Sequence, residues 1–122
     1  MIRTLYKSKI HRAWVTQTEL HYMGSITIDR LLMDAADILP HEQVHVMNVN
    51  NGERAVTYCI EGKKGSGQIC LNGPTARLAQ IGDPIIIISY GQYSETEVER
   101  VTPKVVFVNG QNKRVKKFKM LS

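Results

Sequence analysis

The chain has 122 residues, with 16 Lys plus Arg against 11 Asp plus Glu, a formal net charge of +5. Five of those basic residues (Lys113, Arg114, Lys116, Lys117 and Lys119) lie in 111–122, which holds no acid, so the remainder is neutral. The length suits one domain over 1–122 with a real core, and a neutral body argues against a dedicated nucleic-acid-binding domain, whose basic footprint spreads over a folded face.

In chain order, Met1 to Lys7 has no apolar signal core, so export is not expected. Thr4 to Thr16 and Ile26-Thr27-Ile28 read as strands. Asp29 can cap a helix on which Leu32, Ala35, Ala36 and Leu39 recur at helical spacing, stopped by Pro40. Val44 to Val49 is a strand covered on both faces, and Asn50-Asn51-Gly52 signals a hairpin into Arg54 to Ile60. A polar, glycine-rich turn over Gly62 to Gly67 leads to Gln68 to Leu71. Thr75 to Ala79 suits one helical turn, Ile85 to Tyr90 a strand, Ser94-Glu95-Thr96-Glu97 a short acidic helix, and Lys104 to Val108 a last strand. The basic tail, 111–122, reads as a solvated end or frayed strand. No run approaches the roughly 18 apolar residues of a membrane span. Cys59 and Cys70 sit inside apolar strand-like runs and read as reduced, buried small hydrophobes in a cytoplasmic protein. Frequent short strands with few helices point to a mainly β fold, a small closed barrel that leaves no exposed edges.

His41-Glu42-Gln43-Val44-His45 matches the letters of the H-E-x-x-H zinc motif. That motif works on a helix, where residues i and i+4 share a face. Here Pro40 precedes it and a strand pattern follows. On a strand the two histidines would stand roughly 13 Å apart, too far to share a zinc ion. Positions 48 and 51 are Asn rather than the Gly and His of the extended motif. His11 and His21 add no ligand spacing, and no metal is expected.

A second constellation is more specific. Lys9-Ile10-His11-Arg12, then Leu20-His21-Tyr22-Met23-Gly24-Ser25-Ile26-Thr27-Ile28-Asp29, then Asn51-Gly52-Glu53-Arg54 with Thr57-Tyr58, then Cys70-Leu71-Asn72-Gly73 together resemble the aspartate 1-decarboxylase family. The resemblance runs in order and without gaps from Met1 to about Tyr90, with Pro103-Lys104-Val105 as a last echo. It implies a six-stranded double-psi β-barrel, assembled as a homotetramer, that matures by cutting itself.

By that resemblance the Ser25 hydroxyl attacks the Gly24 carbonyl and turns the peptide bond into an ester. Elimination and hydrolysis then leave a pyruvoyl group at a new N-terminus, dividing the chain into 1–24 and 25–122. The group would form an imine with L-aspartate and accept electron density as CO2 leaves, doing the work of pyridoxal phosphate without it. The product, β-alanine, serves pantothenate and coenzyme A synthesis. Ser25 is then the pyruvoyl precursor, Gly24 the cleavage site, Tyr58 the proton donor and Thr57 an aid to maturation. Arg54 offers a bidentate fork for a carboxylate, with Lys9 adding positive charge. Asn72, Gly73, Pro74 and Thr75 would line the pocket. Many relatives carry Asn-Gly-Ala-Ala-Ala where this chain has Asn72-Gly73-Pro74-Thr75-Ala76. Proline lacks an N–H but can start a helical turn, which would leave the Thr75 hydroxyl and following amides free for an anion. A maturation helper protein is a possible partner of such a chain.

Taken singly, Ser25 reads as a turn serine, Arg54 as a surface residue after a hairpin, and Tyr58 as a core tyrosine; the ordered resemblance is what favours the site reading. Thr57 and Tyr58 are adjacent and face opposite sides of a regular strand, so both serve one site only if the strand bends or the pocket lies between subunits; a subunit interface is the expectation. Two other readings compete: an unprocessed, non-catalytic homologue, and a nucleic-acid-binding β-barrel using the basic tail.

Overall fold

The computed structural model describes residues 1–116 and joins nine strands in one sheet. In order they are β1 (Ile2–Trp14), β2 (Gln17–Glu19), β3 (Ile26–Asp29), helix α1 (Arg30–Ala36), β4 (Gln43–Asn48), β5 (Arg54–Gly62), β6 (Ile69–Asn72), a 3-10 turn (Gly73–Leu78), β7 (Pro84–Ser94), helix α2 (Glu95–Val98), β8 (Lys104–Val108) and β9 (Arg114–Val115). The mainly β class is as expected.

The hydrogen-bonded order is β2-β6-β3-β5-β4-β7-β1-β8-β9. β2 stands at one end, far from β1 in that order, yet only Val15 and Thr16 separate the two in the chain. The three steps from Trp14 to Gln17 span at most about 11 Å, so the sheet curls until its β2–β6 edge meets the end of β1. The Thr16 N–H donates to the Ile69 carbonyl at 2.8 Å, and Val15 to Asp83 at 3.0 Å. With β1 and β2 taken as one strand that changes partner, the ring comprises that strand, β6, β3, β5, β4 and β7. That is the strand order of a six-stranded barrel.

Strand alternation sorts the side chains. Ile10, Ile87 and Val46 pair across β1, β7 and β4 and point into the core. One residue along, Lys9, Ile88, His45 and Val56 form the next row, on the outward face. Asp29 caps α1 by accepting from Leu31 N–H at 2.9 Å, and the same carboxylate accepts from Gly65 and Gly67 N–H at 2.9 and 2.8 Å. It thus ties the helix start to the 62–67 turn.

α1 ends before the proline expected to stop it. Asp37 takes the left-handed conformation, φ 55°, and closes the helix, leaving Leu39 exposed rather than in the core. His41, φ 74°, lies in the following turn and His45 on β4, so the zinc-motif letters do not sit on a helix. Part of the expected tail is integrated. β9 pairs with β8, and buried Asn112 bonds both backbone groups of Trp14 and the Gly67 carbonyl. Lys117 and Lys119 lie outside the described residues.

Candidate active site

Gly24 and Ser25 enter β3 with φ of 109° and 98°. Glycine tolerates such angles, but a serine Cβ does not, so the linkage between them is held under strain by its surroundings. The β3–β6 ladder provides one hold: beyond the Ile26–Leu71 pair, the Asn72 N–H donates to the Ser25 carbonyl at 2.9 Å. Gly73 provides the other. A Cβ on Gly73 would lie 2.6 Å from Gly24 N and 2.8 Å from Gly24 Cα and the Tyr22 oxygen. Backbone meets backbone there, and only glycine fits.

Ile26, Ile28, Ile69 and Leu71 fill the core, so alternation turns Ser25, Thr27, Cys70 and Asn72 to the opposite face. That face is closed to solvent as well: the four are 1%, 8%, 2% and 3% exposed. Buried polar groups need partners, and these find one another. The Asn72 side-chain nitrogen donates to Ser25 Oγ and to Thr27 Oγ1, each at 3.0 Å. The Cys70 thiol donates to Asn72 Oδ1 at 3.3 Å. Burial, with the negative charge of Glu19 added, pushes the Cys70 thiol up, so it keeps its proton. Thr75 Oγ1 donates to the Asn72 carbonyl at 2.8 Å and stands 3.5 Å from the Ser25 oxygen.

The register locates the remaining residues. β3 and β5 run parallel with Ile26 beside Cys59, so Tyr58 is the neighbour of Ser25, on the outward face and 40% exposed. Thr57 shares the core-side face of β5 with Ala55 and Cys59. The β4–β5 pairing runs unbroken from Gln43–Tyr58 to Met47–Arg54, so β5 does not bend to bring Thr57 and Tyr58 to one side. Arg54 faces outward four residues from Tyr58, about 13 Å along the strand. Lys9 lies on β1, three strand spacings or about 14 Å from β5, its Nζ 5.6 Å from the Tyr6 ring centroid.

One protomer therefore gathers Gly24, Ser25, Asn72, Gly73 and Thr75, sets Tyr58 alongside, and leaves Lys9 and Arg54 apart. Two expectations need correction. The Thr75 hydroxyl, expected to be free for an anion, is engaged with the Asn72 carbonyl, because the 3-10 turn begun at Pro74 folds it back on the strand end. Cys70, read as a small hydrophobe, is a hydrogen-bond donor within the cluster, as Thr27 is an acceptor. Their signal was present: Ser25-Ile26-Thr27 and Cys70-Leu71-Asn72 both alternate polar with apolar. An open groove of about 480 Å³ lies elsewhere, lined by Thr4, Gln43, His45, Tyr90 and Gln92, and includes none of the expected site residues. Among the described residues no three His, Cys, Asp or Glu side chains are grouped to hold a metal ion, and no helix is long and apolar enough to cross a membrane.

Known proteins resemble this chain over nearly its whole length. The family model described as aspartate decarboxylase matches residues 1–115, well past Tyr90 and through β9. An aspartate 1-decarboxylase of Thermoanaerobacter pseudethanolicus is 58% identical over 115 residues, covering 94% of this chain and 98% of that one. One from Neisseria meningitidis is 58% identical over 113 residues, 93% and 89% of the two chains. One from Clostridium beijerinckii is 57% identical over 112 residues, 92% and 90%. Among solved structures, the rationally designed protein mkDPBB_sym_86 superposes with a TM-score of 0.48 at 12% identity, covering 65% of this chain and 91% of its own.

Proposed function

The chain belongs to the aspartate decarboxylase family, and from that premise we propose how it acts. It converts L-aspartate to β-alanine and CO2, and its β-alanine feeds pantothenate and coenzyme A synthesis. The observation that carries the reading is the Gly24–Ser25 linkage: two successive positive φ angles, with the Ser25 hydroxyl gripped by Asn72.

Such a linkage suits a chain that makes its own prosthetic group. A relaxed peptide bond resists attack because resonance stabilises it. Here the nucleophile and the bond are neighbours in a strained turn, with the Ser25 side chain itself buried. Ser25 Oγ bonds to the Gly24 carbonyl carbon, the C–N bond breaks, and the hydroxyl proton passes to the freed amine. Loss of the residue-25 α-proton expels the Gly24 carboxylate. Water then hydrolyses the dehydroalanine, releasing ammonia and leaving a pyruvoyl group on fragment 25–122, with 1–24 as its partner. The group, formed without metal or pyridoxal phosphate, supplies an electron sink when the α-carboxylate of L-aspartate departs.

The protein's other residues bind and move protons. Tyr58, beside residue 25 in the register, returns a proton to the substrate carbon. Arg54 holds a carboxylate through its fork, and Lys9 balances the second negative charge. Gly73, Pro74 and Thr75 line the pocket floor with Asn72, while Thr57 assists maturation. Because Arg54 and Lys9 lie roughly 13 Å or more from the Ser25 cluster in one protomer, they complete the site across a subunit interface of a homotetramer. The exposed outward face, with Val56 at 58% and Tyr90 at 36%, is the surface such an interface would cover. The protein works in the cytoplasm, with a maturation helper where splitting is slow.

The test is β-alanine and CO2 release from L-aspartate by the purified protein. Wild type should turn over and Ser25→Ala should not. Activity that survives Ser25→Ala sinks the mechanism.

A further inference from the structure

We propose that Cys70 is a positioning residue for self-cleavage: its thiol decides which end of the Asn72 amide faces Ser25. This rests on the self-cleavage reading above and adds a determinant within the chain.

The amide of Asn72 has three side-chain neighbours. Two are hydroxyls, on Ser25 and Thr27, and a hydroxyl satisfies either end of an amide because it both donates and accepts. They cannot set the orientation. The thiol can, since sulfur donates weakly and accepts poorly, and this thiol stays protonated in its buried place. Oδ1 therefore turns to sulfur at 3.3 Å, and the two Nδ2 protons go one each to Ser25 Oγ and Thr27 Oγ1 at 3.0 Å. Every polar atom of the amide is then used. Reversed, both N–H groups would face a poor acceptor in a site that is almost fully buried, an unfavourable state.

The orientation matters for the reaction. With Nδ2 facing it, Ser25 Oγ accepts a hydrogen bond, and the amide leaves its proton unclaimed. Reversed, Oδ1 would accept the Ser25 O–H and tie up the proton that must leave as Oγ bonds to Gly24. A neutral amide oxygen is too weak a base to remove it. Register makes the arrangement possible: Cys70 is paired with Thr27 across the ladder and is two residues from Asn72, on the same face.

The experiment compares cleavage rates of wild type, Cys70→Ala, Cys70→Val and Cys70→Ser by denaturing mass spectrometry, with thermal melting of each. Loss of the thiol donor should slow splitting by about tenfold in the Ala and Val variants, and Ser, whose hydroxyl accepts either end of the amide and so leaves its orientation unset, should fall between them and wild type. Valine fills volume that alanine vacates, so a common effect is not a packing defect. A second arm uses the uncleavable Ser25→Ala chain and follows solvent exchange of the Asn72 side-chain amide by NMR. Adding Cys70→Ala should speed that exchange by about tenfold. Equal cleavage rates in all variants, or exchange indifferent to Cys70, would overturn the proposal. A wild-type chain that stays whole overturns the self-cleavage reading instead, and the amide orientation then stands or falls on the exchange arm.

Discussion

Asn72 holds Ser25 twice: its backbone N–H donates to the Ser25 carbonyl at 2.9 Å and its side-chain amide to the Ser25 hydroxyl at 3.0 Å. The first bond fixes where the strand begins and the second fixes where the nucleophile points. Together they keep a serine at φ 98°, a conformation it would leave if either neighbour were removed.

Gly73 is the counterpart of that grip on the other side of the bond. A Cβ there meets the Gly24 backbone at 2.6 Å, and Gly73 itself has φ 66°. Gly73→Ala should destabilise the fold by about 2 kcal/mol and push the Gly24 backbone out of its present conformation, slowing cleavage. Calorimetry and the cleavage time course check both effects, and splitting at the wild-type rate would remove the crowding argument.

The backbone of Arg54 stands about 13 Å along β5 from that of Tyr58, the neighbour of Ser25, and Arg54 is proposed to serve the cluster of another protomer. Mixed refolding of Ser25→Ala chains with Arg54→Ala chains should therefore restore part of the β-alanine production that each variant lacks. Recovery would approach about a quarter of wild type if chains assort at random into two-chain sites. No recovery from well-mixed chains would place the whole site in one subunit.

Acid should loosen the start of α1 and the 62–67 turn together. Burial pushes the Asp29 carboxyl up, but the amides of Gly67, Gly65 and Leu31, with Lys113 nearby, more than offset it and hold it below the usual carboxylate range. A lowered folded value means the stabilisation is complete above the unfolded value, about 3.9, and is lost as pH falls through the folded one. Denaturant midpoints measured from pH 6 downward should drop below about pH 4 in wild type and fall less steeply in Asp29→Asn. Parallel curves would show that another group controls acid stability.

Asn112 fastens the chain end to the barrel. Its amide satisfies Trp14 N–H, Trp14 C=O and Gly67 C=O at 2.7, 2.8 and 2.8 Å. Asn112→Ala strands all three and should cost about 3 kcal/mol in denaturant titration; a loss within 0.5 kcal/mol, about the usual surface effect, would contradict the clamp. A nucleic-acid role for the basic tail is therefore better tested by neutralising Lys116, Lys117 and Lys119 than by deleting 111–122, which removes Asn112 too.

Local pattern carried much of this structure. Most strands, the Asn-Gly hairpin, the Asp29 cap and the short helix after Ser94 come from neighbouring residues and appear where their chemistry places them, whereas β2 (Gln17–Glu19) carries no local strand signal. Helix α1 stopped early because Asp37 adopted a left-handed cap, a choice open to aspartate that no periodicity reveals. The Ser25–Asn72 contact spans 47 residues and depends on the β3–β6 register, which alternation alone does not set. The engagement of the Thr75 hydroxyl was hidden for a different reason: its partner is a carbonyl three residues back in a tight turn. The separation of Lys9 from Ser25 follows from strand order and that of Arg54 from the β3–β5 register, properties of the whole sheet rather than of any segment.

Denaturing mass spectrometry of the purified protein reaches the central claim most directly. Self-processing predicts two fragments divided between Gly24 and Ser25, the larger with a blocked N-terminus that reacts with hydrazine. A chain that remains whole while it turns over L-aspartate would contradict it.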